Sequence, residues 1–117
     1  MTTRLAAATV AACAALAAPA AAHTSIKSVS PKSGATADRT LRSVKVVFRG
    51  AIPDGELTVR SAAGAKVSRG EGRLVRGDKQ LRARLRSGLK AGSYRATVRW
   101  LSSDGHVQSK SWSFRLS

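Results

Sequence analysis

The chain has 117 residues, with 21 lysines and arginines against 6 aspartates and glutamates, so its formal net charge at pH 7 is +15. This length fits one small domain and excludes a multidomain enzyme. A single cysteine excludes an intrachain disulfide framework and a four-cysteine zinc site.

The first 22 residues have the three parts of a secretory signal peptide. A positive charge at Arg4 precedes an alanine-rich apolar stretch, and Pro19 is followed by three alanines that form an A-x-A cleavage site after Ala22. The apolar stretch is shorter than the run of about 20 residues that spans a bilayer. We therefore predict a signal peptide over residues 1–22 and one exported domain over residues 23–117.

A second reading of this segment centres on Cys13. The run Val10-Ala11-Ala12-Cys13 resembles a bacterial lipobox, in which the cysteine is lipidated and becomes the new N-terminus. Because only a very short apolar region precedes it, we favour cleavage after Ala22. That cleavage removes the only Met and the only Cys, and it leaves a net charge of +14, since Arg4 is also lost. It also makes His23 the first residue of the mature chain.

Beyond the signal peptide, apolar and polar residues alternate with the period of β-strands. Successive side chains of a strand point to opposite faces, so each alternating segment has one apolar and one polar face. Glycine, proline and aspartate between the segments are typical of tight turns. The pattern predicts an all-β sandwich or small barrel with both tryptophans in its core. The alternating segments are Ile26–Val29, Val44–Phe48, Leu57–Arg60, Leu81–Leu85, Tyr94–Trp100 and Trp112–Leu116.

Two histidines and one aspartate are the candidate metal ligands. As a terminal residue, His23 offers both its α-amino nitrogen and its ring Nδ1, which together close a chelate ring around a metal ion. His106 lies in the link between the last two strands, and Asp104, two residues earlier, projects on the same side of an extended segment. Imidazole nitrogens with a carboxylate suit Cu(II), whereas the mature chain has no Met or Cys to bind Cu(I).

Asp104 has other interpretations. Asp-Gly is a common hairpin turn, so Asp104 has a structural role available to it as well as a role as a metal ligand. It is equally able to orient a ligating imidazole without touching the metal. The residues alone leave these three roles open.

Several segments of the predicted domain carry a resemblance to a known family. They are a histidine directly after the signal peptide, Ser30–Thr36, Val44–Phe48, Leu89–Trp100 and Ser103–His106. With these segments, residues 23–117 resemble the CopC family of exported bacterial copper-binding proteins. The resemblance implies a seven-stranded antiparallel Greek-key sandwich or barrel. It also implies one Cu(II) per chain, bound by His23, Asp104 and His106, and copper handling in the periplasm beside a CopD-like membrane protein.

The sequence departs from the family at several positions. Family members often have Ser-Glu after the phenylalanine that matches Phe48, and in some of them the glutamate approaches the copper. Here Arg49 and Gly50 follow instead, and Val107 replaces a proline after the second histidine. A methionine-rich loop, found in members that also bind Cu(I), is absent from the sequence. We therefore expect a variant that binds Cu(II) only.

The resulting prediction is a monomeric copper carrier or buffer in the periplasm or extracytoplasmic envelope, and not an enzyme or a nucleic-acid-binding protein. One alternative is a copper oxidase or monooxygenase with a histidine brace, although such enzymes are generally much longer. Another is a module that binds polyanions or an anionic envelope surface through its arginines. The arginines in question are Arg82, Arg84, Arg86, Arg95, Arg99 and Arg115.

Overall fold

The computed structural model describes residues 23–117, so the predicted signal peptide and Cys13 lie outside the described residues. Within this range no helix is long and apolar enough to cross a membrane. The described chain forms eight strands. In chain order they are β1 Ile26–Ser30, β2 Thr36–Ala37, β3 Ser43–Phe48, β4 Asp54–Ser61, β5 Ser68–Val75, β6 Gln80–Leu85, β7 Gly92–Leu101 and β8 Val107–Leu116.

The strands form two four-stranded sheets that pack face to face. One sheet has the order β1-β3-β6-β5 and the other has the order β2-β8-β7-β4. All pairings are antiparallel except that of β2 with β8, which is parallel. The predicted all-β sandwich is confirmed, with eight strands instead of seven. Strand β2 has only two residues, too few for an alternating pattern to mark it in the sequence.

Strand β5 also lacks a clear sequence pattern, for a physical reason. It lies at the edge of its sheet, where one side has no neighbouring strand, and it contains Gly70 and Gly72. Its register with β6 shifts between Arg69 and Arg73, which marks a β-bulge. A bulge moves side chains out of strict alternation, so this edge strand does not show the period of two.

The core is formed mainly by the apolar faces predicted from the alternation, joined by Ile52 and Val67 from the links between strands. Side chains of this kind are each worth about 1.5–3 kcal/mol when fully buried. The rings of Phe48 and Trp100 pack across the two sheets with centroids 5.3 Å apart, and those of Tyr94 and Phe114 lie 6.0 Å apart. The buried apolar residues are Val44, Val46, Phe48, Ile52, Leu57, Val59, Val67, Leu81, Ala83, Leu85, Tyr94, Ala96, Val98, Trp100, Trp112, Phe114 and Leu116.

Both tryptophans attach the N-terminal segment to the sandwich. The indole N–H of Trp100 donates to the carbonyl oxygen of Thr24 at 2.9 Å, and that of Trp112 donates to the carbonyl oxygen of Pro31 at 2.9 Å. Each indole is therefore buried while its N–H has a hydrogen-bond partner, as is usual for buried polar groups. The chain around Thr24 is held in this way at the end of the sandwich where the β7–β8 loop lies.

Candidate metal centre

The loop between β7 and β8, residues 102–106, presents two of the three predicted ligands. The backbone N–H of Gly105 donates to the carbonyl oxygen of Ser102 at 2.9 Å, and the N–H of Ser102 donates to the carbonyl oxygen of His106 at 2.8 Å. Gly105 has a φ of 90°, which lies in the region that glycine adopts without strain. This closed turn fixes the backbone on both sides of Asp104.

The N-terminal segment is attached to the same loop through Thr24. Its backbone N–H donates to Ser102 Oγ at 3.2 Å, and its Oγ1 accepts from the backbone N–H of Ser103 at 3.3 Å. Gln108 donates from Nε2 to the same Ser102 Oγ at 2.6 Å. Together with the bond from Trp100, these contacts fix residue 24 and therefore place His23 beside the loop.

The structure brings all three predicted residues together, although 83 positions separate His23 from His106. Nε2 of His23 lies 3.1 Å from Oδ2 of Asp104, and Nδ1 of His106 lies 3.0 Å from the same oxygen. One ligand atom from each residue lies within 4.8 Å of the other two. A separation of this size is compatible with three donors around one metal ion, and the residues' role as ligands stays a prediction.

The two carboxylate oxygens of Asp104 make different contacts. Oδ1 accepts a hydrogen bond from the backbone N–H of His106 at 3.1 Å and so caps the turn, while Oδ2 faces both imidazoles. Partial desolvation raises the pKa of this carboxyl, but the hydrogen bonds from His106 and the charges of both histidines outweigh it, so the pKa lies below its ordinary value. The carboxylate is therefore ionised at neutral pH.

The two imidazoles are open to solvent, whereas the carboxylate between them is not. The side chains of His23 and His106 are 46% and 70% exposed, and that of Asp104 is 15% exposed. The rings meet edge to face with centroids 5.0 Å apart. In His23 the atom that faces Asp104 is Nε2, so chelation through Nδ1 requires this exposed ring to turn about its Cβ–Cγ bond.

The sequence alone did not identify the residues that position His23, Asp104 and His106. Thr24, Ser102 and Trp100 hold the N-terminal segment against the loop, yet a threonine, a serine and a core tryptophan are common in any sandwich. The adjacency of Thr24 to His23 was the only available signal. Recognising it needs the pairing of residue 24 with residue 102, which is a tertiary contact.

Comparisons with known proteins agree with this fold. The family model described as the CopC domain matches residues 26–117. CopC from Methylosinus trichosporium OB3b is 23% identical with a TM-score of 0.69, and the match covers 81% of this chain and 94% of that one. PcoC, a methionine-rich copper resistance protein from Escherichia coli, is 21% identical with a TM-score of 0.67, over 82% and 100% of the two chains. No curated protein matches the sequence significantly.

Proposed function

This chain belongs to the CopC family, and on that premise we propose that it is an exported Cu(II)-binding protein that carries or buffers copper in copper homeostasis or resistance. The observation that carries the proposal is the convergence of His23, Asp104 and His106, whose ligand atoms lie within 4.8 Å of one another. The solved structures with the same fold include a copper resistance protein, which supports the same role.

The donor set favours Cu(II) over Cu(I). Imidazole nitrogen and carboxylate oxygen are ligands that Cu(II) accepts in a tetragonal arrangement, whereas Cu(I) prefers thiolate and thioether sulfur. Residues 23–117 contain no Met and no Cys. One cluster of this kind occurs within the described residues, so we propose one Cu(II) per chain.

The α-amino nitrogen of His23 is proposed as a further donor. It becomes available when cleavage after Ala22 makes His23 the terminal residue. His23 is half exposed and has room to turn its ring, so that the amino nitrogen and Nδ1 face one ion. Together with Asp104 and the His106 ring, this completes four donors.

The exposure of the site supports transfer of the metal to another protein. His106 is 70% exposed, and the adjacent Val107, at 57%, is the one large hydrophobic side chain in residues 23–117 that is exposed. A copper ligand that is exposed at the surface beside an apolar side chain can be reached by an acceptor protein without unfolding of the carrier. We propose a CopD-like membrane protein as this acceptor, with the carrier acting as a monomer.

The proposal is tested by titrating protein that begins at His23 with Cu(II). Calorimetry should give one equivalent, and the electron paramagnetic resonance spectrum should show a tetragonal site with nitrogen ligands. Binding of the same strength in the double variant His23→Ala, His106→Ala would contradict the assignment. Oxygen consumption with a reductant, coupled to oxidation of an added substrate, would favour the histidine-brace enzyme instead.

Replacement of Trp100 by Phe is expected to weaken Cu(II) binding about tenfold, because groups that orient metal ligands typically contribute 10–100-fold to metal affinity. The variant loses the indole N–H that binds the Thr24 carbonyl oxygen, so that residue 23 is no longer fixed beside the loop. Leaving this buried carbonyl without a partner should also lower the free energy of unfolding by about 1–3 kcal/mol. Calorimetry and chemical denaturation measure the two effects separately.

The matched control is Trp112→Phe. It removes the same kind of hydrogen bond, from a buried indole to the carbonyl oxygen of Pro31, away from the three predicted ligands. We expect a similar loss of stability with unchanged Cu(II) affinity. Equal affinity losses in both variants would mean that copper binding follows global stability, and Trp100 would then have no positioning role.

A carboxylate introduced at position 50 is expected to strengthen Cu(II) binding. A Cβ atom built on Gly50 meets Thr24 Cγ2 at 3.9 Å, an ordinary contact, so a side chain fits there next to the residue that follows His23. One additional negative charge near the ion should tighten binding about threefold to tenfold. Competition titration of Gly50→Glu against a chelator measures the gain. Gly50→Gln has nearly the same shape without the charge, and an equal gain in that variant would exclude the electrostatic explanation.

A further inference from the structure

A set of cations lies on the solvent face of the sheet β1-β3-β6-β5. Across β3, β6 and β5, Lys45 is paired with Arg82 and Arg82 with Arg73. Two residues along β6, Arg84 is paired directly with Arg69. Side chains in directly opposed positions lie about 4.5–5.5 Å apart at Cβ, and like charges there are destabilising. The folded domain therefore holds an arrangement that is unfavourable without a negatively charged neighbour.

No acidic side chain of residues 23–117 forms an ion pair with these cations. The ion-pair contacts within residues 23–117 both join Asp104 to a histidine, so no Lys or Arg there lies within 4.0 Å of a carboxylate oxygen. In addition, Nε of Arg82 is buried without a hydrogen-bond partner among the described residues. Buried polar atoms are normally paired, so this nitrogen is one more unsatisfied group among these cations.

One end of this face forms a cleft of about 520 Å³, a volume within the range of ligand-binding sites. Five arginines line it together with three leucines, two of them partly buried and one, Leu85, buried. Guanidinium groups bind phosphate oxygens through two parallel hydrogen bonds, and they lose less hydration than an ammonium does. We call this site the arginine cleft, and its arginines are Arg39, Arg42, Arg69, Arg84 and Arg86.

From these observations we propose that the arginine cleft and the cation rows beside it bind a flexible linear polyanion that carries a phosphate in each repeat unit. A concave cleft continued by rows of cations accommodates a chain better than it accommodates a flat bilayer. Insertion into a bilayer would also need exposed apolar side chains, and the one exposed large hydrophobic residue in the described chain, Val107, lies beside His106 and not in the cleft.

This site is independent of the candidate metal centre. The cleft and the metal centre lie at opposite ends of β3. Arg42, a cleft residue, directly precedes the first residue of β3. Ile26, close after His23 in the chain, is paired with Phe48, the last residue of β3. Six strand residues separate these ends by about 17 Å. Charges that far apart are screened at physiological ionic strength, where the Debye length is about 8 Å. The polyanion and Cu(II) should therefore bind without affecting each other.

The test uses a labelled glycerol phosphate polymer as the probe and the mature chain from His23 as the protein. The triple variant Arg42→Gln, Arg69→Gln, Arg84→Gln should weaken binding at least about 30-fold at low salt and reduce the slope of log affinity against log salt by about 2. The matched control, Arg95→Gln, Arg99→Gln, Arg115→Gln, makes the same change in net charge on exposed positions of the other sheet. It should retain most of the affinity.

A second readout does not depend on the polymer. Because Arg69 and Arg84 repel each other, the cleft variant should unfold at a higher temperature than the unmodified protein at low salt. In the control, removing the opposed pair Arg60 and Arg95 is offset by losing the opposed pair Glu56 and Arg99, so its unfolding temperature should change less. Equal loss of polymer binding in both triple variants would overturn the proposal, since net charge alone would then explain it. Tighter binding to phosphatidylglycerol vesicles or to duplex DNA than to the polymer would also overturn it, because those ligands present phosphates on a bilayer or a rigid helix.

Discussion

Adding one glycine before His23 is expected to weaken Cu(II) binding at least about 100-fold, since losing a direct ligand should cost no less than losing a group that orients one. The extension converts the α-amino nitrogen of His23 into an amide, and the added glycine is N-acetylated so that no new terminal amine can bind copper in its place. The chelate ring with the imidazole is lost while all side chains stay in place. Affinity is measured by competition against a chelator, with the exact N-terminus verified by mass spectrometry.

The control is a glycine added after Ser117, which changes the length of the chain by the same amount. The backbone N–H of Ser117 donates to the carbonyl oxygen of Ala37, and neither residue belongs to the candidate metal centre. This variant should bind Cu(II) like the unmodified protein. Unchanged affinity in the N-terminal extension would show that His23 binds through its side chain alone. The electron paramagnetic resonance spectrum would then retain its full set of nitrogen couplings.

Ligation by the amino group of His23 would make copper binding depend on removal of the predicted signal peptide. If the amino group of His23 is a ligand, the precursor with residues 1–22 attached lacks one donor of the site. Copper would then bind tightly only after the signal peptide has been removed, outside the cytoplasm. Comparing the precursor with the mature protein in the same titration tests this, and the glycine extension is expected to resemble the precursor.

Replacement of Asp104 by Asn is expected to weaken Cu(II) binding by about 100-fold or more. The amide keeps an oxygen to accept the backbone N–H of His106, so the turn should be retained, but the negative charge between the two imidazoles is lost. Asp104 is the one carboxylate in the cluster of His23, Asp104 and His106. Without it, no anion of the site would lie beside the divalent cation.

Asp38→Asn is the matched control. Its Oδ1 accepts the backbone N–H of Thr40 at 2.8 Å, two residues on, as Asp104 Oδ1 does for His106. The substitution therefore makes the same change in net charge and in turn chemistry at a position outside the predicted ligands. Cu(II) affinity should stay within about twofold in this variant, because exposed charges far apart are screened. Equal losses in both variants would indicate that net charge, and not ligation by Asp104, controls the affinity.

Asp104 illustrates what sequence reasoning left open. The residues allowed a turn cap, a metal ligand or a group that orients an imidazole. The structure assigns the cap to Oδ1 and directs Oδ2 toward both histidines, so capping leaves Oδ2 available for either of the other two roles. That division depends on the distance between the N-terminal segment and the β7–β8 loop, which no local pattern encodes.

The strands show a similar contrast between central and edge positions. Alternating segments predicted the central strands β3, β6, β7 and β8, and shorter alternating segments predicted two of the four edge strands, β1 and β4. The edge strands β2 and β5 escaped prediction because one is too short and the other contains glycines and a bulge. Edge positions are less constrained by packing on both sides, so they carry weaker periodicity.

The amino-acid sequence by itself determined that the described part of this protein is a small β-sandwich, and it identified two histidines and one aspartate as the candidate ligands. The alternation of apolar and polar residues was sufficient for the fold, because strand periodicity is local. The small number of possible metal ligands was sufficient for the candidate site, because few residue types bind metals. Only the tertiary structure decided that His23 lies 3.1 Å from Asp104. It also decided that Trp100 and Ser102 hold the N-terminal segment in place, and that the arginines of β5 and β6 face one another. These are contacts between residues far apart in the chain, and they follow from how the strands pair and not from their composition.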